Sequence, residues 1–394
     1  MKSLVIRSPE AFRKKQQIDV KTGHEVVEID CAERRVLVRR LDNGSELWEP
    51  YGQLLIATGA VPFRPDIPNA QATGIYGVHT LQDAAVLRRV LDEQRPKRGV
   101  IVGGGYIGLE MAEALIRVGL EVTLVDRSEQ VMGTLDPDMG TEVTEALRCF
   151  GVEVHLGETV KEFTASGGVV TGIKTDQRTV AADMVILGMG VRPNSSLASR
   201  YGIPLGEKDS IRVDNGMRTG IDGIWAAGDC AETFHLVSRK PFYVALGTVA
   251  NKQGRVAGLN IAGGEAVFPG VVGTAVTKVC NLEVARTGLQ EAEIARLGLD
   301  YVSNIITTTT RAGYYPGSGP IHVKLLAEKG TGRLLGGQIV GSEGSAKRID
   351  IVAVSLHAGF TVEQLIDLDL AYAPPFSSVW DPVQIAAREL VKLI

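Results

Sequence analysis

Apolar positions along the chain fall into short alternating runs, short solid runs and longer runs of helical period, and each kind predicts its own element. Asp19–Lys21, Glu25–Asp30, Val36–Arg40 and Glu46–Glu49 read as short strands, with Asp42-Asn43-Gly44 as the turn before the last. Ahead of them Ser8-Pro9-Glu10 marks a helix start running to about Gln17, with Ser8 as cap and Pro9 in the first turn. Leu54–Ala60 (LLIATGA), Ala182–Gly188 (ADMVILG) and Gly223–Asp229 (GIWAAGD) are apolar enough to be buried strands. Val61–Asn69, punctuated by prolines, reads as a crossover into a new domain.

Further along, Asp136-Pro137 opens a helix over Asp138–Phe150 that Gly151 closes, and strands follow at Val152–Leu156, Val160–Ala165 and Val169–Lys174. Ser210–Asp229 returns to short strands, and Thr248–Ile261 is helical. Beyond Gly273, strands at Thr274–Val279, Leu282–Thr287, Tyr301–Thr310, His322–Ala327 and Leu334–Val340 are interleaved with helices at Gln290–Leu297 and Ala346–His357, an α+β texture. Tyr372-Ala373-Pro374-Pro375-Phe376-Ser377 cannot continue a helix and predicts an ordered loop. The whole reads as an α/β protein divided at 1–78, 79–193, 194–265 and 266–394.

Candidate chemistry concentrates in Gly99–Asp126. Gly103-x-Gly105-x-x-Gly108 follows the apolar strand Val100–Val102 directly, so a tight turn can bring backbone N–H groups to a pyrophosphate at a helix N-terminus. Tyr106, Ile107 and Glu110 lie at the start of that helix, and Tyr106 and Glu110, four apart, share a face. Asp126 closes the next strand where a carboxylate can accept the ribose hydroxyls of NADH. Arg127 beside it could meet the 2′-phosphate of NADPH, or be a solvated surface charge. Asp229 ends a buried strand, where open α/β sheets bind ligands, or caps the turn that follows.

Composition removes several alternatives. Lys and Arg number 42 against 46 Asp and Glu, with no basic tract, which argues against nucleic acid as a partner. No apolar run approaches the roughly 20 residues of a membrane span, and Met1–Glu10 lacks a signal-peptide core, so a soluble cytoplasmic protein is expected. Cys31, Cys149, Cys230 and Cys280 are far apart with no C-x-x-C pair, and the six histidines form no ligand pattern; no metal is expected.

GVIVGGGYIGLE, LLIATGA, GIWAAGD, ANKQGR, Tyr314-Tyr315-Pro316-Gly317 and YAPPFS, taken as an ordered set, resemble the pyridine nucleotide-disulfide oxidoreductases. Within that family the chain looks most like coenzyme A-disulfide reductases and NADH oxidases. The resemblance implies an FAD domain interrupted by an NAD(P)H unit, and a C-terminal domain that makes a homodimer. It implies that Thr58 and Gly59 line the FAD linker, that Asp229 binds the ribityl hydroxyls, that the helix start at Thr248 faces the flavin pyrimidine and that the Val26 backbone meets the adenine. Tyr106 would be a gate over the flavin, or simply packed. Tyr314 and Tyr372 would reach across the dimer to the partner's thiol site, or anchor the interface. The implied acceptor is a small disulfide, or oxygen and peroxide in the NADH oxidases.

Two family features are not found in this sequence: a first glycine fingerprint for the FAD pyrophosphate, and a redox cysteine in an Asn-Cys-Gly context. The expectation is an incomplete FAD site, with exposed strand edges where the first βαβ unit would lie, and an intact NAD(P)H unit. A start codon upstream of Met1, or a genuine fragment able to act as a redox-inactive NADH-binding dimer module, would each account for this.

Overall fold

The computed structural model describes Leu4 and residues 6–394. The chain divides into two compact units, one of residues 1–61, 192–234 and 241–269, the other of 62–191, 235–240 and 270–394.

In the first unit Ser8 caps the helix Pro9–Gln16 by accepting from the Ala11 N–H, and Gln17 closes it in the left-handed conformation. An antiparallel sheet of His24–Asp30, Arg35–Arg40 and Glu46–Pro50 follows. Asp19–Lys21, expected as a strand, forms none: the segment is exposed and has no neighbouring strand to pair with. Leu54–Ala60 is also not one strand. It runs as Leu54–Ile56, pairs in parallel with Ile224–Ala226, and breaks at Gly59, whose φ of +70° takes the chain out of extended geometry. Among the described residues that parallel pair has two strands. Ser210–Gly223 holds isolated bridges rather than strands. There the Asp214 carboxylate accepts from the Gly216 and Arg218 N–H groups and folds the backbone into a local turn. Ile29, Val36, Ile56, Ile203, Ile211 and Ile224 make this unit's core.

The second unit contains a five-stranded parallel sheet in the order Ile75–Gly77, Met184–Leu187, Arg98–Val102, Glu121–Val125, Glu153–His155. Strand periodicity sorts its side chains between two faces. Ile101, Leu124 and Ile186 pack under the helices Tyr106–Arg117 and Pro137–Cys149. Val100, Val102, Val185 and Leu187 pack against Phe163 and Ile173 of an antiparallel meander, Val160–Ser166, Val169–Thr175 and Thr179–Ala181.

The same unit holds a second, antiparallel sheet in the order Ala275–Val279, Leu282–Gly288, Leu334–Gly341, Pro320–Glu328, Tyr301–Thr309. Val323, Leu325 and Ile339 pack with Val352 and Leu356 of the helix Ile349–Ala358 and with Val383, Ala386 and Ala387 of Pro382–Leu390. Val279, Val284 and Val340 instead join the core beneath the Tyr106 and Pro137 helices, so the two sheets share one apolar interior. Segments 79–193 and 266–394, read as separate in the sequence, fall largely within this one unit. No helix among the described residues is long and apolar enough to cross a membrane.

Candidate functional site

The glycine turn is built as the spacing requires. Gly103 has φ +105°, and a Cβ there would lie 2.6 Å from the Gly188 carbonyl oxygen. A Cβ on Gly108 would come within 1.9 Å of the Gly103 oxygen, so helix and turn are in closest contact there. Gly105 differs: its nearest neighbour would be 3.8 Å away, leaving its side open. Gly105 is also the N-cap of the 12-residue helix Tyr106–Arg117, with no side chain capping the first N–H groups. Closed at Gly103 and Gly108 and open at Gly105, the turn has the shape that a dinucleotide pyrophosphate fits, with the positive end of a helix behind it.

Asp126 is more engaged than its position suggested. One carboxylate oxygen accepts from the Gly104 N–H at 2.5 Å and the other from the Ser128 N–H at 2.7 Å. The acid therefore helps shape the glycine turn, and a carboxylate retains further acceptor sites for a ribose. Arg127 and Ser128 are exposed beside it.

A loop that sequence reasoning missed completes this wall. The Met132 N–H donates to the Gly104 oxygen at 2.7 Å, and Thr134 Oγ1 donates to the Tyr106 hydroxyl at 3.4 Å. Met132 is buried with φ +51°. Ile107 is half-buried, and Glu110 Oε1 accepts from Thr277 of the antiparallel sheet at 2.9 Å. Tyr106 and Glu110 are thus held by different partners.

In the first unit Thr58 and Gly59 form a turn stitched to Asn194: Thr58 Oγ1 donates to the Asn194 oxygen, Asn194 Nδ2 to the Thr58 oxygen, and the Asn194 N–H to the Gly59 oxygen. Asp229 follows the strand Ile224–Ala226, and Gln253, wholly buried in the helix Gly247–Ile261, fixes that strand end by accepting from the Gly228 N–H at 2.9 Å. The Tyr243 hydroxyl donates to the Asp229 carbonyl. Gly228 lies against Ala250, so Asp229 sits beside the first turn of a helix that no side chain caps, with Thr248 exposed in that turn. These groups fit the ring and ribityl end of a flavin: a carboxylate for hydroxyls and free N–H groups for a carbonyl. No helix among the described residues of this unit opens on a glycine fingerprint that would fit the pyrophosphate end. Val26 lies exposed on the antiparallel sheet.

Tyr314 and Tyr372 are 79% and 50% exposed on loops that are joined to one another. The Ala312 N–H donates to the Pro374 oxygen, and Arg348 donates to the carbonyls of Thr310 and Phe376 while pairing with buried Asp381 at 2.9 Å. Arg348 carried no sequence signal, because the partners that tie these loops together, Asp381, Thr310 and Phe376, are 28 to 38 positions away.

Neither Cys31 nor Cys280 is an activated thiol. Burial pushes Cys31 up, and burial beside Glu113 pushes Cys280 up to about 11. Cys230 is buried with its sulfur directed at the Ile56 and Ala227 carbonyls, and Cys149 lies exposed at a helix end. Among the described residues no group of His, Cys, Asp or Glu is arranged to hold a metal ion.

A parallel dinucleotide-type sheet and an antiparallel sheet backed by helices in one unit, with a smaller unit built round a short parallel pair, make up the architecture of the two-dinucleotide flavoprotein reductases with a C-terminal dimerisation domain. The chain belongs to the pyridine nucleotide-disulphide oxidoreductase family, whose profile matches residues 3–254, and the dimerisation domain of that family matches residues 274–383. It is accordingly an FAD- and NAD(P)H-dependent oxidoreductase. It is 39% identical over 387 residues to an NAD(P)H coenzyme A polysulfide/persulfide reductase of Pyrococcus horikoshii, an alignment covering 98% of this chain and 86% of the relative. An NAD-dependent persulfide reductase from A. fulgidus superposes with a TM-score of 0.95 at 40% identity, covering 98% of this chain and 72% of that one. The water-forming NADH oxidase of Lactobacillus brevis bound to NADH, and its engineered NADPH oxidase form bound to NADPH, each superpose with a TM-score of 0.94 at 28% identity, covering all of this chain and 86% of theirs.

Proposed function

We propose that the chain binds NADH and NADPH over Gly103–Gly108 and serves electron transfer to a coenzyme A-linked disulfide or persulfide. The observation that carries this reading is the glycine turn, closed at Gly103 and Gly108 and open at Gly105 in front of an uncapped helix. The Pyrococcus relative, a coenzyme A polysulfide/persulfide reductase, supports the acceptor class. Bound together, the two cofactors supply hydride transfer from nicotinamide to flavin and two electrons for the acceptor.

The chain's own residues have separable roles. Asp126 binds the ribose while bracing Gly104, and Arg127 with Ser128 receives a 2′-phosphate. The engineered NADPH-bound oxidase supports that division: it carries Gly→Ala and, eighteen positions on, Asp→Ala followed at once by Ala→Arg and Met→Ser. Gly108 and Asp126 are eighteen apart here, and Arg127-Ser128 already follow, so one site carries the acid suited to NADH and the Arg-Ser pair suited to NADPH. Tyr106 and Glu110 border the nicotinamide, with Ile107 under the pyrophosphate. Thr58, Gly59, Asp229, Thr248 and the Val26 backbone hold the flavin. In a homodimer through residues 266–394, Tyr314 and Tyr372 present neutral hydroxyl donors to the partner's acceptor site; a phenol can steady a developing thiolate without bringing a charge. Segments 1–78 and 194–265 serve the flavin and 79–193 the nicotinamide coenzyme.

Titration of the purified chain with each coenzyme, followed by calorimetry, tests this. The native chain is expected to bind both. Asp126→Ala should weaken NADH about tenfold more than NADPH, and Arg127→Ala should weaken NADPH alone, each factor of ten being about 1.4 kcal/mol. Equal losses in Asp126→Ala would reduce the carboxylate to a brace for Gly104, and a native chain binding neither coenzyme would overturn the reading.

A further inference from the structure

The second unit contains a buried ionic cluster that no part of the coenzyme reading uses. Lys324, on the strand Pro320–Glu328, is 1% exposed and meets Asp136 at 3.2 Å, Asp138 at 2.7 Å and Glu291 at 2.9 Å. Asp136 is 2% exposed. Burial works against the lysine's charge, but its bonds to Asp138 and Glu291 and the Asp136 carboxylate hold its pKa above the ordinary lysine value.

Asp136 occupies the N-cap position of the helix Pro137–Cys149, where an aspartate usually accepts from its own helix's N–H groups. It makes no such bond. Its oxygens instead accept from Gln338 Nε2 at 2.7 Å and from the Glu291 N–H at 3.0 Å, while its own N–H donates to Gln338 Oε1 at 2.8 Å. Gln338 lies directly across the sheet from Lys324. A second tie sits three residues earlier, where Gln290 Nε2 donates to the Gly133 oxygen at 3.2 Å. The two anchors hold the later part of the loop Val131–Leu135, with Thr134 between them in contact with Tyr106, while the loop's first residues meet the glycine turn through Met132 and Gly104. A Cβ on Gly104 would lie 2.9 Å from Val131, so loop and turn are also closely packed at that point.

We propose that Lys324, from the antiparallel sheet, is a positioning residue for the coenzyme site: by neutralising and holding Asp136 it fixes the Val131–Leu135 loop against Gly104 and Tyr106. The sheet assigned to dimerisation is then also the back wall of the nucleotide site. A helix cap turned away from its helix gives up a local bond for a distant one, and the consequence of that exchange is a fixed position for the end of the loop that leads into it. The inference rests on the coenzyme reading of Gly103–Gly108.

Three variants test it, with NADH binding to the full chain read by calorimetry at a temperature where circular dichroism shows each variant folded. Lys324→Met removes the cation at equal length and should raise the NADH Kd about tenfold. Arg348→Met removes another largely buried cation of the same sheet-and-helix layer, whose partners are the Gly344, Thr310 and Phe376 carbonyls and Asp381. It should lower Tm comparably and leave the NADH Kd within twofold of native. Gln290→Ala severs the Gly133 tie and removes no charged member of the cluster, although Gln290 is also the N-cap of the helix that carries Glu291, and it should raise the Kd about threefold even if Lys324→Met fails to fold. A native Kd in Lys324→Met, an equal rise in Arg348→Met, or an unchanged Kd in Gln290→Ala beside an unfolded Lys324→Met would each overturn the proposal. A native chain that binds no NADH would break the coenzyme reading instead, a different failure visible before any variant is made.

Discussion

The glycine turn of the second unit and the Thr58-Gly59 turn of the first both leave a glycine backbone bare, at Gly105 and at Gly59, and they are supported very differently. Around Gly103–Gly108 a five-stranded sheet is covered on both faces, a loop presses on the turn, and a buried charge cluster holds the loop. Around Gly59 the parallel pair has two strands among the described residues, Leu55 of that pair is 37% exposed, and the turn is held chiefly by its bonds to Asn194. Recognition of a ligand by backbone N–H groups depends on rigidity, because a loose turn must be ordered at the moment of binding. The comparison therefore predicts a preformed coenzyme site and a flavin-ring site that its ligand must help to order.

The largest effect should come from adding a side chain at Gly103. At φ +105° with the Gly188 oxygen 2.6 Å from the new Cβ, Gly103→Val meets both torsional strain and a backbone clash. Such strain costs about 3 kcal/mol, and NADH binding should be lost beyond detection by calorimetry. Retained binding would mean that the turn yields, and the contrast between the two sites would disappear.

Acid should narrow the gap between the units from the other side. His235, in the short excursion 235–240 that belongs to the second unit, is held down to about 4 by burial, with Glu293 opposing and Arg286 assisting. Its Nδ1 accepts from the Ser238 N–H, a bond that needs the neutral ring. The unfolded chain, titrating near 6.5, binds the proton more readily, so this histidine's contribution is complete above about pH 6.5 and is lost as pH falls toward 4. The loss approaches 3 kcal/mol. Denaturant unfolding followed from pH 7 to 4.5 should show that decline, and His235→Gln should flatten it; an equally steep decline in the variant would place the acid sensitivity elsewhere.

How much of this was legible depended on the distance between partners. The helix at Ser8-Pro9-Glu10 and the run from Val100 to Asp126 carry their own caps, glycines and periodicity, and both form where those local signals place them. Asp19–Lys21 has strand-like residues but no neighbour, and pairing, which a single stretch cannot reveal, decided against it. Asp126 was identifiable by its place after the glycines, whereas its bond to Gly104 was not. Lys324 and Gln338 read as ordinary strand residues because Asp136 lies 188 and 202 positions from them in the chain. Arg348 and Asn194 were silent for the same reason.

The smallest effect is expected at Gly59, and it separates stability from binding. A Cβ there meets nothing within 4 Å, so Gly59→Ala carries only the cost of placing alanine at φ +70°, about 1 kcal/mol. The three bonds to Asn194 involve backbone and Thr58 atoms that the substitution leaves in place. If Gly59 is bare because a flavin linker passes close to it, the added methyl occupies that path. FAD added to the native chain should then be carried through gel filtration with its yellow absorbance in larger amount than with Gly59→Ala, although the two differ little in Tm. A variant that retains as much flavin as the native chain would show that the glycine serves the turn alone, and a large fall in Tm would show that the first unit is packed more tightly at this turn than its open surroundings indicate.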